Sequence, residues 1–286
     1  MYTSNPVTTE PTVASSDEAQ RLLESLHQYR RLFTEALAAY DGSTGGARHL
    51  EQAIATYARL ITSAPNEARF TRLLQEGGAP TEELVDELRA LSARCAGVLE
   101  KYRALRLLNG QESTDDYFMN VESCIEQEFG AMTPDEHSKV LLIGSGSYPM
   151  TLLHLAQQTG ARTLGIDIDA EAVELGRRVV QQLGSGLHIR LEQRTAAELE
   201  FTAQATHLVF SSTVAAKYEL LDELYAHTRE DVVVAMRFGD SLKSLFNYPM
   251  QPVNPQRWQL VHTIRQEDQV FDIALYAKAR PQAKDG

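Results

Sequence analysis

The stretch Lys139-Val-Leu-Leu-Ile-Gly-Ser-Gly-Ser-Tyr-Pro-Met-Thr151 constrains this chain more than any other. A fully apolar run breaks into a Gly-x-Gly turn and then resumes with helical periodicity. Val140 to Ile143 has the length and β-branched content of a buried parallel strand. Thr151, Leu152, Leu153, Leu155 and Ala156 suit a helix packed on the same sheet. Gly144 and Gly146 let the backbone turn sharply and approach a ligand with no Cβ in the way. Pro149 stands where the GxGxxG spacing wants a third glycine, so the pattern departs from a nicotinamide site.

A second buried strand, Arg162-Thr-Leu-Gly-Ile-Asp167, ends in an acid 23 residues after Gly144. In nucleotide sites an acid at that place binds ribose hydroxyls. Asp169 then caps a helix whose apolar stripe runs through Ala172, Val173, Leu175 and Val179. Glycine loop, helix, strand, acid and capped helix together spell a doubly wound sheet that takes up adenosine.

The first part of the chain differs. From Asp17 to about Phe129, Leu and Ala recur at helical spacing with almost no β-branched runs. Ser16 or Asp17 is expected to cap a first helix carrying Leu22, Leu26 and Phe33, ending before the Asp41-Gly-Ser-Thr-Gly-Gly46 cluster. A second helix is expected over about 47–62, a short one over 67–75, and a long one from a Thr81 cap to about Leu108. After the Asn109-Gly110 turn, the segment Tyr117 to Phe129 reads as a helix leading into the sheet. It puts Glu122 and Glu126 on one face and Phe118, Val121, Ile125 and Phe129 on another. The expected organisation is a frayed N-terminus over 1–16, a helical domain over 17–130 and a Rossmann-like domain over 131–280.

Beyond Asp167, strands at 188–194, 206–212 and 231–237 alternate with helices near 170–183 and 214–228, which implies a parallel sheet. Trp258 to Ile264 and Val270 to Ala277 are separated by only five residues, too few for a parallel crossover, so they must form a hairpin. A parallel sheet finished by an antiparallel hairpin resembles S-adenosylmethionine-dependent methyltransferase domains. The fold class is therefore read as α/β: a class I methyltransferase-type Rossmann-like sheet with an N-terminal all-helical domain. Ser211, Ser212, Arg237 and Asp240 fall at strand ends, where such sheets hold ligands.

Three segments sharpen the resemblance to a family. Gly144-Ser-Gly-Ser-Tyr-Pro-Met-Thr151 resembles the Gly-Ser-Gly-Pro-Leu-Pro-Leu-Thr loop of nicotianamine synthases, and Gly165-Ile-Asp-Ile-Asp169 is similar to their Phe-Asp-Ile-Asp strand end. Met236-Arg-Phe-Gly-Asp-Ser-Leu-Lys-Ser-Leu-Phe-Asn-Tyr-Pro249 resembles a third segment of theirs, including its terminal Tyr-Pro. The helix from Tyr117 through Glu126 is loosely similar to a fourth. The family moves the 3-amino-3-carboxypropyl group of S-adenosylmethionine onto an amine and releases methylthioadenosine. Plant members repeat the step, whereas shorter bacterial relatives perform it once on histidine to build opine-type metallophores. This chain departs from the plant loop at Ser147 and Tyr148 and from the plant segment at Phe238-Gly-Asp240. Those departures point to the single-transfer bacterial branch.

The resemblance and the strand-end positions together assign Gly144, Ser145, Gly146, Ser147, Pro149, Asp167, Ile168, Thr195 and Ser211 to S-adenosylmethionine, a co-substrate, with no metal expected. The attacking α-amine is mostly protonated near neutral pH, so a nearby group must take its proton. Glu126 is the first candidate and Glu122 the second, with Tyr117 and Tyr148 as helpers. Arg237 can hold a substrate carboxylate through its planar fork, or be engaged in an ion pair. Competing readings are nicotianamine synthase proper, a small-molecule methyltransferase, and a catalytically silent protein that binds S-adenosylmethionine without consuming it.

Charge and composition exclude other classes. With 27 Lys and Arg against 39 Asp and Glu, the formal charge is −12, and no basic run is present, which argues against nucleic acid as partner. No apolar run approaches the roughly 20 residues of a membrane span, and the first residues lack a signal peptide's pattern. Cys95 and Cys124 lack CxxC spacing and read as reduced thiols. The expectation is a cytoplasmic enzyme acting on a small amine, histidine, with a homodimer left open.

Overall fold

The computed structural model describes residues 15–111 and 125–280. The expectations for residues 1–14, Tyr117, Glu122, Cys124 and the polar tail after Arg280 lie outside the described residues.

Three helices come first: α1 (Ser16–Ala38), α2 (Ala47–Ile61) and α3 (Ala64–Leu108). The cap of α1 is Ser15, one residue before the expected pair. Its hydroxyl accepts from the Glu18 backbone N–H at 3.3 Å, and the Glu18 carboxylate accepts from the Ser15 N–H at 3.0 Å. That reciprocal box satisfies two otherwise orphaned donors. The expected short and long helices are joined into α3 across a kink at Gly78 (φ 56°, ψ −156°), with Pro80 just beyond it. Pro80 removes a helical donor, and Gly78 absorbs the turn, so the axis bends there and continues. Leu26, Phe33, Ile54, Tyr57, Phe70, Leu88 and Leu99 interlock inside the bundle, with Phe33 and Tyr57 edge to face at 5.0 Å. A fourth helix, α4, is described over residues 125–132.

The sheet follows: β1 (Lys139–Ile143), α5 (Met150–Thr159), β2 (Arg162–Ile166), α6 (Ala170–Leu183), β3 (Ile189–Glu192), α7 (Glu200–Gln204), β4 (His207–Phe210), α8 (Lys217–Leu224), β5 (Val233–Phe238), β6 (Trp258–Ile264) and β7 (Asp272–Lys278). Strand order is β3-β2-β1-β4-β5-β7-β6. The first five strands pair in parallel, and β7 pairs antiparallel with both β5 and β6. The expected hairpin is present. Its turn is too short for a crossover helix, so the sheet must reverse direction there.

The central strands are buried along nearly their whole length, as sheets covered on both faces require. Leu142, Val209 and Ala235 share one core cluster with α1, α2 and α3, while Leu141, Ile143, Leu208 and Phe210 face α8 and the β6–β7 side. The helical segment thus packs directly on the sheet. The chain reverses between β1 and β4, and a crevice opens beyond their carboxyl ends, where ligands of open α/β sheets sit.

Candidate active site

A cavity of about 980 Å³ occupies that crevice, walled by the strand ends on one side and by α3 on the other. The glycine loop forms its floor. Gly144 (φ 81°) and Gly146 (φ 64°) both adopt left-handed backbone, and the Gly144 and Ser145 N–H groups donate to the Ile166 carbonyl, folding the loop back onto β2. The Asp167 carboxylate accepts from the Gly146 N–H at 2.9 Å and from the Asp169 N–H at 3.0 Å, which aims it at the loop. Beside it Ile168 is 93% exposed, a large apolar side chain laid open on the cavity wall.

Ten of the expected site residues line this space: Gly144, Ser145, Gly146, Tyr148, Pro149, Asp167, Ile168, Thr195, Ser211 and Arg237. Ser147 is buried just behind the wall. Glu126 is exposed on α4 and is not among the lining residues. The helix α8 begins at Lys217, three residues later than expected, because Ser212 to Ala216 form part of the cavity wall instead of a helical turn.

Glu100, on α3 and outside the expected set, also lines the cavity. Its carboxylate accepts from the Ser147 N–H at 3.1 Å. A Cβ on Gly146 would stand 1.7 Å from that carboxylate, so the second glycine of the loop is what admits it. Burial, reinforced by the nearby Asp167 charge, pushes the Glu100 carboxyl up to about 8. Its neighbour Lys101 ties α3 to the start of α6. The Lys101 ammonium lies 2.7 Å from Asp169 and 2.6 Å from Glu171, at the start of α6.

Arg237 lies inside the protein, 5% exposed, in place of the surface ion pair that was the alternative for it. Its Nε donates to Glu128 at 3.0 Å, its Nη2 to the Thr151 hydroxyl at 3.1 Å, and its plane lies 5.1 Å from the Phe271 ring. Glu128 is completely buried between Ile125, Phe129 and Met132 on the inner side of α4. Behind this pair, buried Lys217 donates to the carbonyls of Arg237 and Tyr248, both at 2.8 Å, and burial lowers its ammonium to about 7. The segment after β5 is held from the helical side, with Arg89 donating to the Ser244 carbonyl at 2.7 Å and Tyr57 to that of Leu245 at 2.9 Å.

A signal for Glu100 and Glu128 existed in the sequence. Each is an acid set at helical spacing within a stripe of small or apolar residues: Ala93, Ala96, Gly97 and Ala104 around one, Ile125, Phe129 and Met132 around the other. An acid in an inward stripe must be paired or shifted, since an unpaired buried charge is costly.

The family model described as "nicotianamine synthase protein" matches residues 53–283, which takes in the bundle's last helices, the glycine loop and the whole sheet. The chain belongs to the nicotianamine synthase family. Among its relatives, an L-histidine 2-aminobutanoyltransferase of Pseudomonas aeruginosa is 31% identical over 190 residues, 66% of this chain and 71% of that one. Another of the same name, from Yersinia pestis, is 27% identical over 241 residues, 82% of this chain and 88% of that one. Solved structures of MtNAS share the fold of this nicotianamine synthase family member. A mutant in complex with S-adenosylmethionine superposes with a TM-score of 0.70 at 13% identity, covering 90% of this chain and 98% of that one. MtNAS in complex with MTA and tNA gives 0.71 at 13% identity over 91% and 98%. Among the described residues no group of three or more His, Cys, Asp or Glu side chains is placed to hold a metal ion. No described helix is long and apolar enough to cross a membrane.

Proposed function

We propose that this protein transfers the 3-amino-3-carboxypropyl (aminobutanoyl) group of S-adenosylmethionine to the α-amine of histidine, releasing methylthioadenosine. The observation that carries the reading is the Glu100 carboxylate, seated on the glycine loop within the same cavity as Asp167. It puts a proton acceptor beside the nucleoside cradle. The relatives named as L-histidine 2-aminobutanoyltransferases support histidine as the amine.

Asp167 binds the ribose hydroxyls, Ile168 packs on the adenine, and Gly144 and Gly146 let the donor lie against the backbone. The sulfonium activates three carbons, so orientation decides which one reacts. With Cγ presented to the acceptor, the amine nitrogen forms the N–Cγ bond as the S–Cγ bond breaks, and the sulfur leaves as the neutral thioether of methylthioadenosine. The amine's proton passes to Glu100, which takes the place assigned in the sequence to Glu126. A carboxyl raised to about 8 is matched to that task, because a base works best with its pKa near the working pH. Tyr148, on the cavity wall, orients the donor. Arg237, with Nε and Nη2 held by Glu128 and Thr151, presents its remaining Nη1 to a substrate carboxylate.

The product carries an imidazole, two amines and two carboxylates, the donor set of a metal chelator, as befits an opine-metallophore precursor made in the cytoplasm. Incubating the protein with S-adenosylmethionine and histidine and weighing the products tests the reading. Methylthioadenosine with a singly extended histidine supports it. S-adenosylhomocysteine with methylated histidine makes the protein a methyltransferase, two or more transfers make it a nicotianamine synthase proper, and unconsumed S-adenosylmethionine makes it a binding protein.

A further inference from the structure

Helix α3 lines the cavity with one continuous stripe, Ala90, Ala93, Arg94, Gly97 and Glu100, at the spacing of three and four residues that keeps side chains on one face. Most of the stripe is small. The two exceptions are charged and of opposite sign, six positions apart, hence about 9 Å along the helix axis.

Arg94 differs from the other cations on the wall. Arg237 is engaged by Glu128, and Arg194 has Glu192 within 3.9 Å. Arg94 is exposed to the cavity and has no hydrogen-bond or ion-pair partner among the described residues. A free guanidinium in a chamber that also holds Glu100 and Asp167, on a chain of net charge −12, is a site for an incoming carboxylate.

We infer that Arg94 binds the α-carboxylate of the acceptor and so restricts the enzyme to α-amino acids. This rests on the proposed reaction, in which Glu100 meets the acceptor's amine. An α-amino acid presents an ammonium and a carboxylate on one carbon, and α3 offers an acid and a cation on one stripe to meet them. With the amine at Glu100, the carboxylate points along the stripe, and the long Arg94 side chain spans the remaining gap. The small residues between leave room for the acceptor's backbone. The donor's nucleoside end lies at Asp167 and Ile168, beside Glu100, which leaves Arg237 for the donor's own carboxylate. Arg94 is thus a specificity-determining residue.

The test compares histidine with histamine, which keeps the imidazole and the amine but lacks the carboxylate. Affinities are measured by calorimetry on the full chain with methylthioadenosine bound, so that no reaction intervenes, for the wild type, Arg94→Ala and Arg94→Lys. The wild type should prefer histidine. Arg94→Ala should weaken histidine roughly ten- to hundredfold, as expected for loss of a hydrogen bond between charged groups, and leave histamine unchanged. Arg94→Lys should recover part of the loss, and the affinity for S-adenosylmethionine should not move. Unchanged histidine affinity in Arg94→Ala, an equal loss for both amines, or a loss confined to S-adenosylmethionine would overturn the assignment. The exposed, unpaired side chain makes no fold-holding contact, so the variants should keep the wild-type melting temperature. A wild type that binds histidine but transfers nothing sinks the proposed reaction and leaves the Arg94 comparison readable. A wild type that binds no amino acid sinks the Arg94 assignment itself.

Discussion

Two inward-facing acids, Glu100 and Glu128, answer to opposite rules. Glu128 is buried with a cation beside it, and Glu100 is set against another acid, Asp167, whose charge raises it further. Breaking a buried pair leaves an uncompensated charge, so Glu128→Ala should destabilise the fold by about 3–5 kcal/mol, read from urea unfolding midpoints. A loss under about 1 kcal/mol would mean that the Arg237 guanidinium finds water or another partner. For Glu100 the expectation concerns rate. A base must be deprotonated to act, and this carboxyl is held at about 8, so kcat/KM for the donor should rise with pH and level off above about 8. Binding of the cationic sulfonium favours the carboxylate, so the corresponding limb in kcat should lie at lower pH. Glu100→Gln should lose 10²–10⁴-fold in kcat with donor affinity retained. Wild-type turnover in that variant would remove Glu100 as the base, whereas Glu126→Gln, at an exposed position, should turn over as the wild type does.

At the scale of elements, the site depends on how α3 sits on the loop. Gly146→Ala adds a Cβ only 1.7 Å from the Glu100 carboxylate and strains a left-handed backbone, so the Glu100 side chain must swing off the loop. The expected result is loss of donor binding together with at least 1–3 kcal/mol of stability, checked by calorimetry and thermal melting. Lys101 acts on the same joint from the other side. Its acids are close to half exposed, so Lys101→Met should cost only about 1 kcal/mol in stability. The larger effect should appear in kcat, because the shifted helix carries Glu100 away from the loop. Unchanged kcat in that variant would show that the apolar packing of α3 suffices to place the acid.

Across the whole molecule, the helical layer and the sheet share the cavity, so a ligand filling it binds only the folded arrangement. Saturating S-adenosylmethionine at about 100 times its dissociation constant should add about 2.7 kcal/mol of stability. For a chain of this size that is a rise of roughly 5–10 °C in melting temperature. Asp167→Ala should abolish most of that rise. A full-size rise in Asp167→Ala would take the acid out of the donor site.

Much of this arrangement was legible from local pattern. Apolar runs of four or five residues, a Gly-x-Gly turn and an acid at the next strand end are short-range signals, and they placed β1, β2, the loop and Asp167 correctly. The hairpin followed from the length of its connection alone. The family resemblance came from local segments of the same kind, the glycine loop and the Tyr-Pro segment, both of which reach the cavity wall. The small-residue stripe marks Glu100 as an inward acid, but no window of sequence contained what it meets there, the glycine loop. Glu100 lies 46 residues before Gly146, among many acids that face solvent, and only the packing of α3 on α6 brings it to the loop. Arg237 was visible at a strand tip, but Glu128 as its partner, 109 residues earlier, was not. Secondary structure and nucleoside cradle follow from forces that act within a few residues: periodicity, capping and backbone freedom. The pairings on the cavity wall, Glu100 on the loop and Arg237 on Glu128, depend on burial and charge between distant segments, and those quantities exist only once the chain has closed on itself.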